Sequence, residues 1–508
     1  MGTKDRQGKA LKGGNPAALP LVDAAAMQTA LDLAARGKTA DAAKMLEDIA
    51  RRNPANATAP FNLGMLCYKA GSLAEAEKSF RKALARNPED GETLAYLAGV
   101  RLDRGAHAEG LELWEKAKCH PLSARSWVTI GGILRELGDI PHAKECFETA
   151  LALQPDCIEA FYGISRVRKF TTEELAAMRR IANVRTTDEK IKLEFSLGKA
   201  GLDNDEAEEG FRHYAEANRL KKSTRPVDIS LYEKYADSLI GLFSQDVVRR
   251  LRGRGSVTSS QPVFIVGMMR SGSTLTDQIL SSHPDVRSVG EAEYFVKGIP
   301  AYTNTEVPGH FRAGAPSITR EFIDKLTPDV LDTIGRKYLS LTAPAAQGAT
   351  RVIDKMLHNF FWVGLIRLAL PNAKIIHTTR DPVDTGLSLY TLLFTSHLPW
   401  TYDQRDIGRY ILSCNRVMDH WKKLFPGAIY EANYERMIAD QESETRKLLE
   451  FCGLPWNDSC LKFHETKRQV NTASATQVRQ PIYKDSVKKW KKYEQYLQPL
   501  IKTLEGGE

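Results

Sequence analysis

Prolines at 54, 88, 121 and 155 recur at steps of 34, 33 and 34 residues, and no other feature narrows so far what this chain can fold into. Glycines at 37, 71, 105 and 138 march with the same step. Five residues after each glycine stands a small residue, in turn Ala42, Ala76, Gly110 and Ala143. Nine after each stands a large apolar one, Leu46, Phe80, Trp114 and Phe147. A pattern of this length describes one supersecondary unit that buries its apolar face only by stacking on copies of itself. The physical assignment is consistent: glycine ends a first helix, the small residue lets a second helix pack closely, and proline starts the next unit.

Units of about 34 residues with this small–large–proline order are tetratricopeptide (TPR) repeats. Trp127-x-x-Ile130-Gly131 and Leu63-Gly64 supply the first-helix part of the pattern. The expected array is an all-α TPR solenoid over residues 25–166, with a further first helix at Ala160–Arg166. The polar residues 1–24 before it read as a disordered lead-in. Residues 167–255 keep a helical pattern, with 195–222 as a degenerate unit, and end in a Gly- and Ser/Thr-rich linker at Arg252–Gln261. A solenoid offers an extended concave surface, so binding of a peptide or protein is expected of the array; the alternative is a plain scaffold for the second half of the chain.

A chain of 508 residues exceeds one core, and its 42% hydrophobic and 26% charged residues are ordinary for a globular protein. The net charge of +8 fits an anionic nucleotide ligand. There is no basic stripe with interleaved aromatics, so no nucleic-acid partner is expected. No run approaches the roughly 18–20 apolar residues of a membrane span, and the first residues lack the apolar centre of a signal peptide. Seven scattered cysteines with no C-x-x-C pair argue against metal or disulfide frameworks. A cytoplasmic location is the expectation.

The second half is organised around residues 262–295. Pro262–Val266 is a short apolar, β-branched run that reads as a buried strand, and GMMRSGST (267–274) comes directly after it. Leu275, Ile279 and Leu280 then fall at helical spacing. Strand, glycine-rich turn and helix aim backbone N–H groups at a phosphate. Gly267 and Gly272 stand where the P-loop pattern puts its glycines, but Ser273 takes the place of its lysine. The fixed charge comes earlier, from Arg270, and Ser273 and Thr274 come after the second glycine. Beyond residue 256, strands alternate with helices, the signature of an α/β fold with a mainly parallel sheet.

This stretch resembles the 5′-phosphosulfate-binding loop of sulfotransferases that use 3′-phosphoadenosine 5′-phosphosulfate (PAPS), and in particular the tyrosylprotein sulfotransferases, through RSGSTL and HPDVR. The resemblance covers roughly residues 260–495 and implies a P-loop-like sulfotransferase domain over 256–505. It implies that Arg270, Ser271, Gly272, Ser273 and Thr274 hold the 5′-phosphosulfate. Glu291 lies 21 residues after Arg270, where that family carries the base that takes the acceptor's proton, with Glu293 two residues on. Lys355 closes the strand Arg351–Asp354, 25 residues before Arg380, at the place of a lysine that stabilises the leaving phosphosulfate oxygen. Without that resemblance Lys355 reads as a surface lysine paired with Asp354, with an amphipathic helix after it through Leu370. Arg380 ends the strand Ala373–Thr379 and Ser388 lies within the next helix; the pair suits a 3′-phosphate. Where the family has a further arginine, this chain has Leu392. Ser474 and Lys489 keep the family's spacing relative to Pro481 and Trp490, as nucleotide contacts, and Tyr434 matches a tyrosine near the adenosine.

The function implied is sulfuryl transfer from PAPS to an acceptor hydroxyl, with Glu291 as base, Arg270, Lys355 and Ser474 holding developing charge, and no metal. Two other classes stay open: a binding scaffold whose rear domain is inactive, and a P-loop kinase or NTPase, which Ser273 in the lysine position opposes. The acceptor is open among a peptide tyrosine, a glycan, a lipid and a small-molecule hydroxyl. Animal tyrosylprotein sulfotransferases favour acidic peptides through a basic residue two beyond the base, and here Glu293 occupies that place.

Overall fold

The computed structural model describes residues 21–224, 226–252, 257–299, 318–394, 398–466, 477–482 and 485–507. They form two compact units that divide between Leu193 and Glu194.

The first unit is a run of helix pairs: Leu21–Ala35 with Thr39–Arg52, Thr58–Lys69 with Leu73–Leu84, Gly91–Asp103 with His107–Lys118, and Ala124–Leu137 with Ile140–Leu153, and then the single helix Ile158–Ile164. Two kinds of glycine build it. Gly37, Gly71, Gly105 and Gly138 sit between the helices of each pair at φ of +77°, +74°, +82° and +86°. At the first three, a Cβ would meet nothing within 4 Å, so the glycine serves the left-handed turn rather than space. Gly64 and Gly163 lie in first helices, where an added Cβ would fall 2.6 Å from the Phe80 ring and 2.4 Å from the Phe147 ring. There the missing side chain is what admits the large residue of the second helix. Ala42, Ala76 and Ala143 are wholly buried, as their place in the repeat requires. The clusters they join are nearest-neighbour ones: Phe61, Phe80, Tyr96 and Val100 come from three successive helices.

The stretch read as a degenerate unit also folds as two helices, Thr187–Asp203 and Ala207–Thr224. They approach so closely that a Cβ on Gly201 would lie 2.8 Å from the Cα of Gly210.

The second unit is built on five strands: β1 Pro262–Gly267, β2 Val286–Ser288, β3 Arg351–Asp354, β4 Lys374–Thr379 and β5 Ile429–Asn433. Every pairing is parallel and the order is β2-β3-β1-β4-β5. All six residues of β1 are buried, as a central parallel strand covered on both faces demands. Its side chains alternate. Val263 and Ile265 join Ile279, Leu280, Ile353 and Leu448, whereas Phe264 meets Phe295 and Tyr338 at ring distances of 5.9 and 5.1 Å. Because β3 and β4 flank β1 on opposite sides, the carboxyl edge of β1 is where the winding of the sheet changes direction, the place at which such sheets open a crevice.

One expected helix is broken. Residues 357–362 form a 3₁₀ turn and only Val363–Ala369 is α-helical. The cause is local: Asp354 Oδ1 accepts from the Met356 N–H and from Asn359 Nδ2, which ties the chain down just after β3.

Candidate active site

Five residues singled out by sequence lie within three positions of the carboxyl ends of five different strands: Arg270 after β1, Glu291 after β2, Lys355 after β3, Arg380 after β4 and Tyr434 after β5. A parallel sheet delivers them to one edge whatever their separation in the chain.

The loop after β1 is shaped by contacts that exclude side chains. A Cβ on Gly267 (φ +129°) would lie 2.8 Å from the Thr378 carbonyl of β4. One on Gly272 (φ +92°) would lie 2.7 Å from the Tyr434 ring. Arg270 itself has φ +66°, unusual for a residue with a side chain. Buried Ser271 donates to the Met268 carbonyl at 2.5 Å and meets Thr378 Oγ1 at 2.8 Å, which pins the loop to β4. Ser273 and Thr274 begin the helix Ser273–Ser281, whose N-cap Gly272 offers no side chain to its first N–H groups.

Two constellations result. In the first, Lys355 Nζ donates to Glu291 Oε1 at 2.5 Å. The lysine side chain is only 2% exposed and the glutamate 45%. Lys355 is thus no surface lysine, and its partner is not Asp354. The Asp354 carboxyl is fully enclosed, and burial, opposed by the Met356 N–H and the Tyr338 hydroxyl, pushes its pKa up to about 8. It stays mostly protonated at neutral pH and leaves the lysine's charge to Glu291.

In the second, Arg270 Nε donates to Ser388 Oγ at 2.8 Å and its Nη2 to Gln477 Oε1 at 3.1 Å. Arg380 donates to the Arg270 carbonyl at 3.2 Å and to the Ser486 carbonyl at 2.7 Å, with its guanidinium 4.8 Å over the Tyr434 ring. The hydroxyls of Tyr434 and Ser486 are 2.6 Å apart. Arg380 is not paired with its neighbour Asp381, whose Oδ1 caps the helix Pro382–Tyr390 by accepting from Val383 and Asp384 N–H groups.

Lys489 opens a short 3₁₀ helix, Lys489–Tyr496. Ser474 lies outside the described residues. Leu392 lies just beyond the helix that carries Ser388 and supplies no charge there. Sequence reasoning missed Asp384, Gln477 and Ser486. Asp384 had a signal, since it precedes Ser388 by one helical turn on the same face; Gln477 and Ser486 had none. Among the described residues, no three His, Cys, Asp or Glu side chains are placed to hold a metal ion, and no helix is long and apolar enough to cross a membrane.

Comparison with known proteins shows the same division. The sulfotransferase family model matches residues 262–458, and tetratricopeptide repeat models match 27–91, 68–124 and 124–157. An uncharacterized protein of Aquifex aeolicus is 34% identical over 459 residues, 88% of this chain and 59% of its own. The protein-tyrosine sulfotransferase of Drosophila melanogaster is 23% identical over 45% of this chain and 46% of its own length. Protein-tyrosine sulfotransferase 1 of Danio rerio is 24% identical over 45% and 65%. The chain therefore spans about half to two thirds of the length of these relatives. Strand–loop–helix, site edge and family match coincide: the chain carries a sulfotransferase-family domain over residues 262–458, preceded by tetratricopeptide repeats over residues 27–157.

Proposed function

We propose that this protein is a PAPS-dependent sulfotransferase that transfers a sulfuryl group to an acceptor hydroxyl. The observation that carries the proposal is the arrival of a carboxylate–lysine pair and an arginine–serine–arginine cluster at one sheet edge, on either side of the glycine-rich loop after β1. The donor supplies an activated sulfuryl group whose departure leaves 3′,5′-ADP. The residues present fit it. Among the described residues, Arg380 Nε is buried without a hydrogen-bond partner, a donor left over in a site made of cations and hydroxyls.

In this reading the loop 270–274 holds the 5′-phosphosulfate with backbone N–H groups, Ser273, Thr274 and the Arg270 charge. Arg380 and Ser388 hold the 3′-phosphate, Tyr434 borders the adenosine, and Lys489 and Ser474 complete the nucleotide contacts. The Glu291 carboxylate, on a side chain that is nearly half exposed, accepts the acceptor's proton as the acceptor oxygen attacks sulfur. Lys355 Nζ neutralises charge on the departing phosphate, a role in which a nearly buried ammonium is worth more than one in water. The acceptor class is less closely constrained by the site. A peptide tyrosine, the substrate in the names of the Drosophila and Danio relatives, agrees with a repeat array that would recruit a protein. Glu293, two residues beyond the base, disfavours acidic peptides. We place the reaction in the cytoplasm, in keeping with seven unpaired thiols.

Calorimetry with 3′,5′-ADP, 5′-AMP and ATP tests the donor. Preference for 3′,5′-ADP is expected, and equal affinity for 3′,5′-ADP and 5′-AMP would overturn the 3′-phosphate site. Incubation of the protein and a native cell extract with labelled PAPS, and identification of the labelled product, tests the acceptor.

A further inference from the structure

Asp384 is a carboxylate 1% exposed to solvent, in a helix one turn before Ser388. Its two oxygens are taken up by main chain from a distant stretch: Oδ2 accepts the Lys488 N–H at 2.7 Å and Oδ1 the Trp490 N–H at 2.9 Å. These two amides bracket Lys489. Between them the chain makes an unusual bend, with Lys488 at φ +56°, a left-handed conformation that a lysine adopts only where its surroundings enforce it. The same segment is tied a second time at Ser486, whose carbonyl accepts from Arg380 and whose hydroxyl meets Tyr434. Residues 485–490 thus lie as a strap against the arginine cluster, and Asp384 is its anchor next to Lys489.

The choice of partners matters chemically. A buried carboxylate beside Arg380 could neutralise the guanidinium and repel an incoming phosphate. Here its charge is spent on two amide protons instead, while Arg380 donates to carbonyl oxygens. Burial raises the Asp384 carboxyl, and the Trp490 N–H, Arg380 and the Lys488 N–H oppose that rise, with Asp381 adding to it.

We infer that Asp384 is a positioning residue: by holding the amides of Lys488 and Trp490 it fixes Lys489 beside the Arg380–Ser388 pair and so sets selectivity for a nucleotide carrying a 3′-phosphate. The inference rests on the PAPS reading above. Nothing in the local sequence requires it, because the contact spans 104 residues.

The test uses the full-length protein and calorimetry with 3′,5′-ADP and 5′-AMP. Asp384→Asn keeps the shape but turns one acceptor into a donor facing a donor. Affinity for 3′,5′-ADP is expected to fall about tenfold, the worth of one charge-assisted contact, and affinity for 5′-AMP less than twofold. Lys488→Gly, which adopts a positive φ without strain, should restore part of the loss in the Asp384→Asn background. If Asp384→Asn does not fold, Lys488→Pro attacks the same contact from the other side, since proline has no N–H and cannot reach φ +56°. It should show the same selective loss. A wild type that does not distinguish the two nucleotides would overturn the PAPS reading and the inference with it. A wild type that distinguishes them beside variants that do so equally well, or that lose both nucleotides in parallel, would overturn the positioning role alone.

Discussion

The two flanks of the sheet edge are built differently. On the β2–β3 side, one ion pair joins Glu291 and Lys355, and the glutamate is nearly half exposed. On the β4–β5 side, Arg270, Arg380, Ser388, Tyr434, Ser486 and Asp384 share a network of hydrogen bonds to one another and to the main chain. A lone pair with one end in water can be parted by an arriving ligand at little cost. A network with several anchors cannot, and its geometry is set before any ligand arrives. In the proposed reaction the first flank does the chemistry, where partners must change, and the second does recognition, where they must not.

The largest test of that division is Glu291→Gln. It retains the shape and one acceptor oxygen but cannot take a proton, so turnover should fall about 10²–10⁴-fold with the protein still folded. Near-normal turnover beside an inactive Glu293→Gln would move the base by two residues. Next comes Arg380→Ala, which removes donors to two carbonyls and a guanidinium over Tyr434. Affinity for 3′,5′-ADP should drop by about 1.5–3 kcal/mol in calorimetry, with 5′-AMP far less affected. A uniform loss for both nucleotides would mean that the network supports the fold and not the 3′-phosphate.

A smaller effect sharpens the contrast. If Lys355 must leave Glu291 to meet the nucleotide, then Glu291→Gln should tighten 3′,5′-ADP binding by about two- to fivefold, the worth of an ion pair with one end in water. The gain should vanish in a Lys355→Ala background. A weakening on Glu291→Gln would show that the pair is as fixed as the opposite flank. The last test concerns the support under Lys355. In the folded protein Asp354 keeps its proton up to about pH 8, whereas in the unfolded chain it releases it in the usual carboxylate range. The folded state therefore binds more protons in between, and this group's contribution to stability is lost as pH rises toward about 8. Thermal unfolding at several pH values should show a shallower decline for Asp354→Asn than for wild type, and parallel curves would discard the argument.

How much of this could be read from the chain alone depended on the distance over which each contact acts. The repeat array was legible because Phe80 packs on Gly64, Tyr96 and Phe61, all within adjacent helices, so periodicity carries the packing. The strand–turn–helix at 262–281 was legible for a similar reason, since strand, Gly267, Gly272 and helix are contiguous. Resemblance brought Glu291 and Lys355 into view. That they bond to each other, 64 residues apart, depends on β2 and β3 being neighbours, which only the sheet order establishes. The start of the helix after Lys355 was misjudged because apolar spacing says nothing of an aspartate that accepts two hydrogen bonds from the next turn of chain. Ser486 was illegible, and so were the main-chain partners of Asp384, because these contacts join segments that no local pattern connects.

The strap has a consequence in time. Polypeptides are made from the N-terminus, and helix pairs that touch only their neighbours can pack as each one emerges. The crevice has no such freedom. Its first strand is synthesised at residue 262, yet the amides that Asp384 requires arrive only with residues 488 and 490. Until then Arg270 and Arg380 sit in a nascent chain without the Ser486 carbonyl that later accepts from Arg380. A ribosome paused beyond β5 but short of residue 486 would therefore display a packed repeat array ahead of an unfinished crevice.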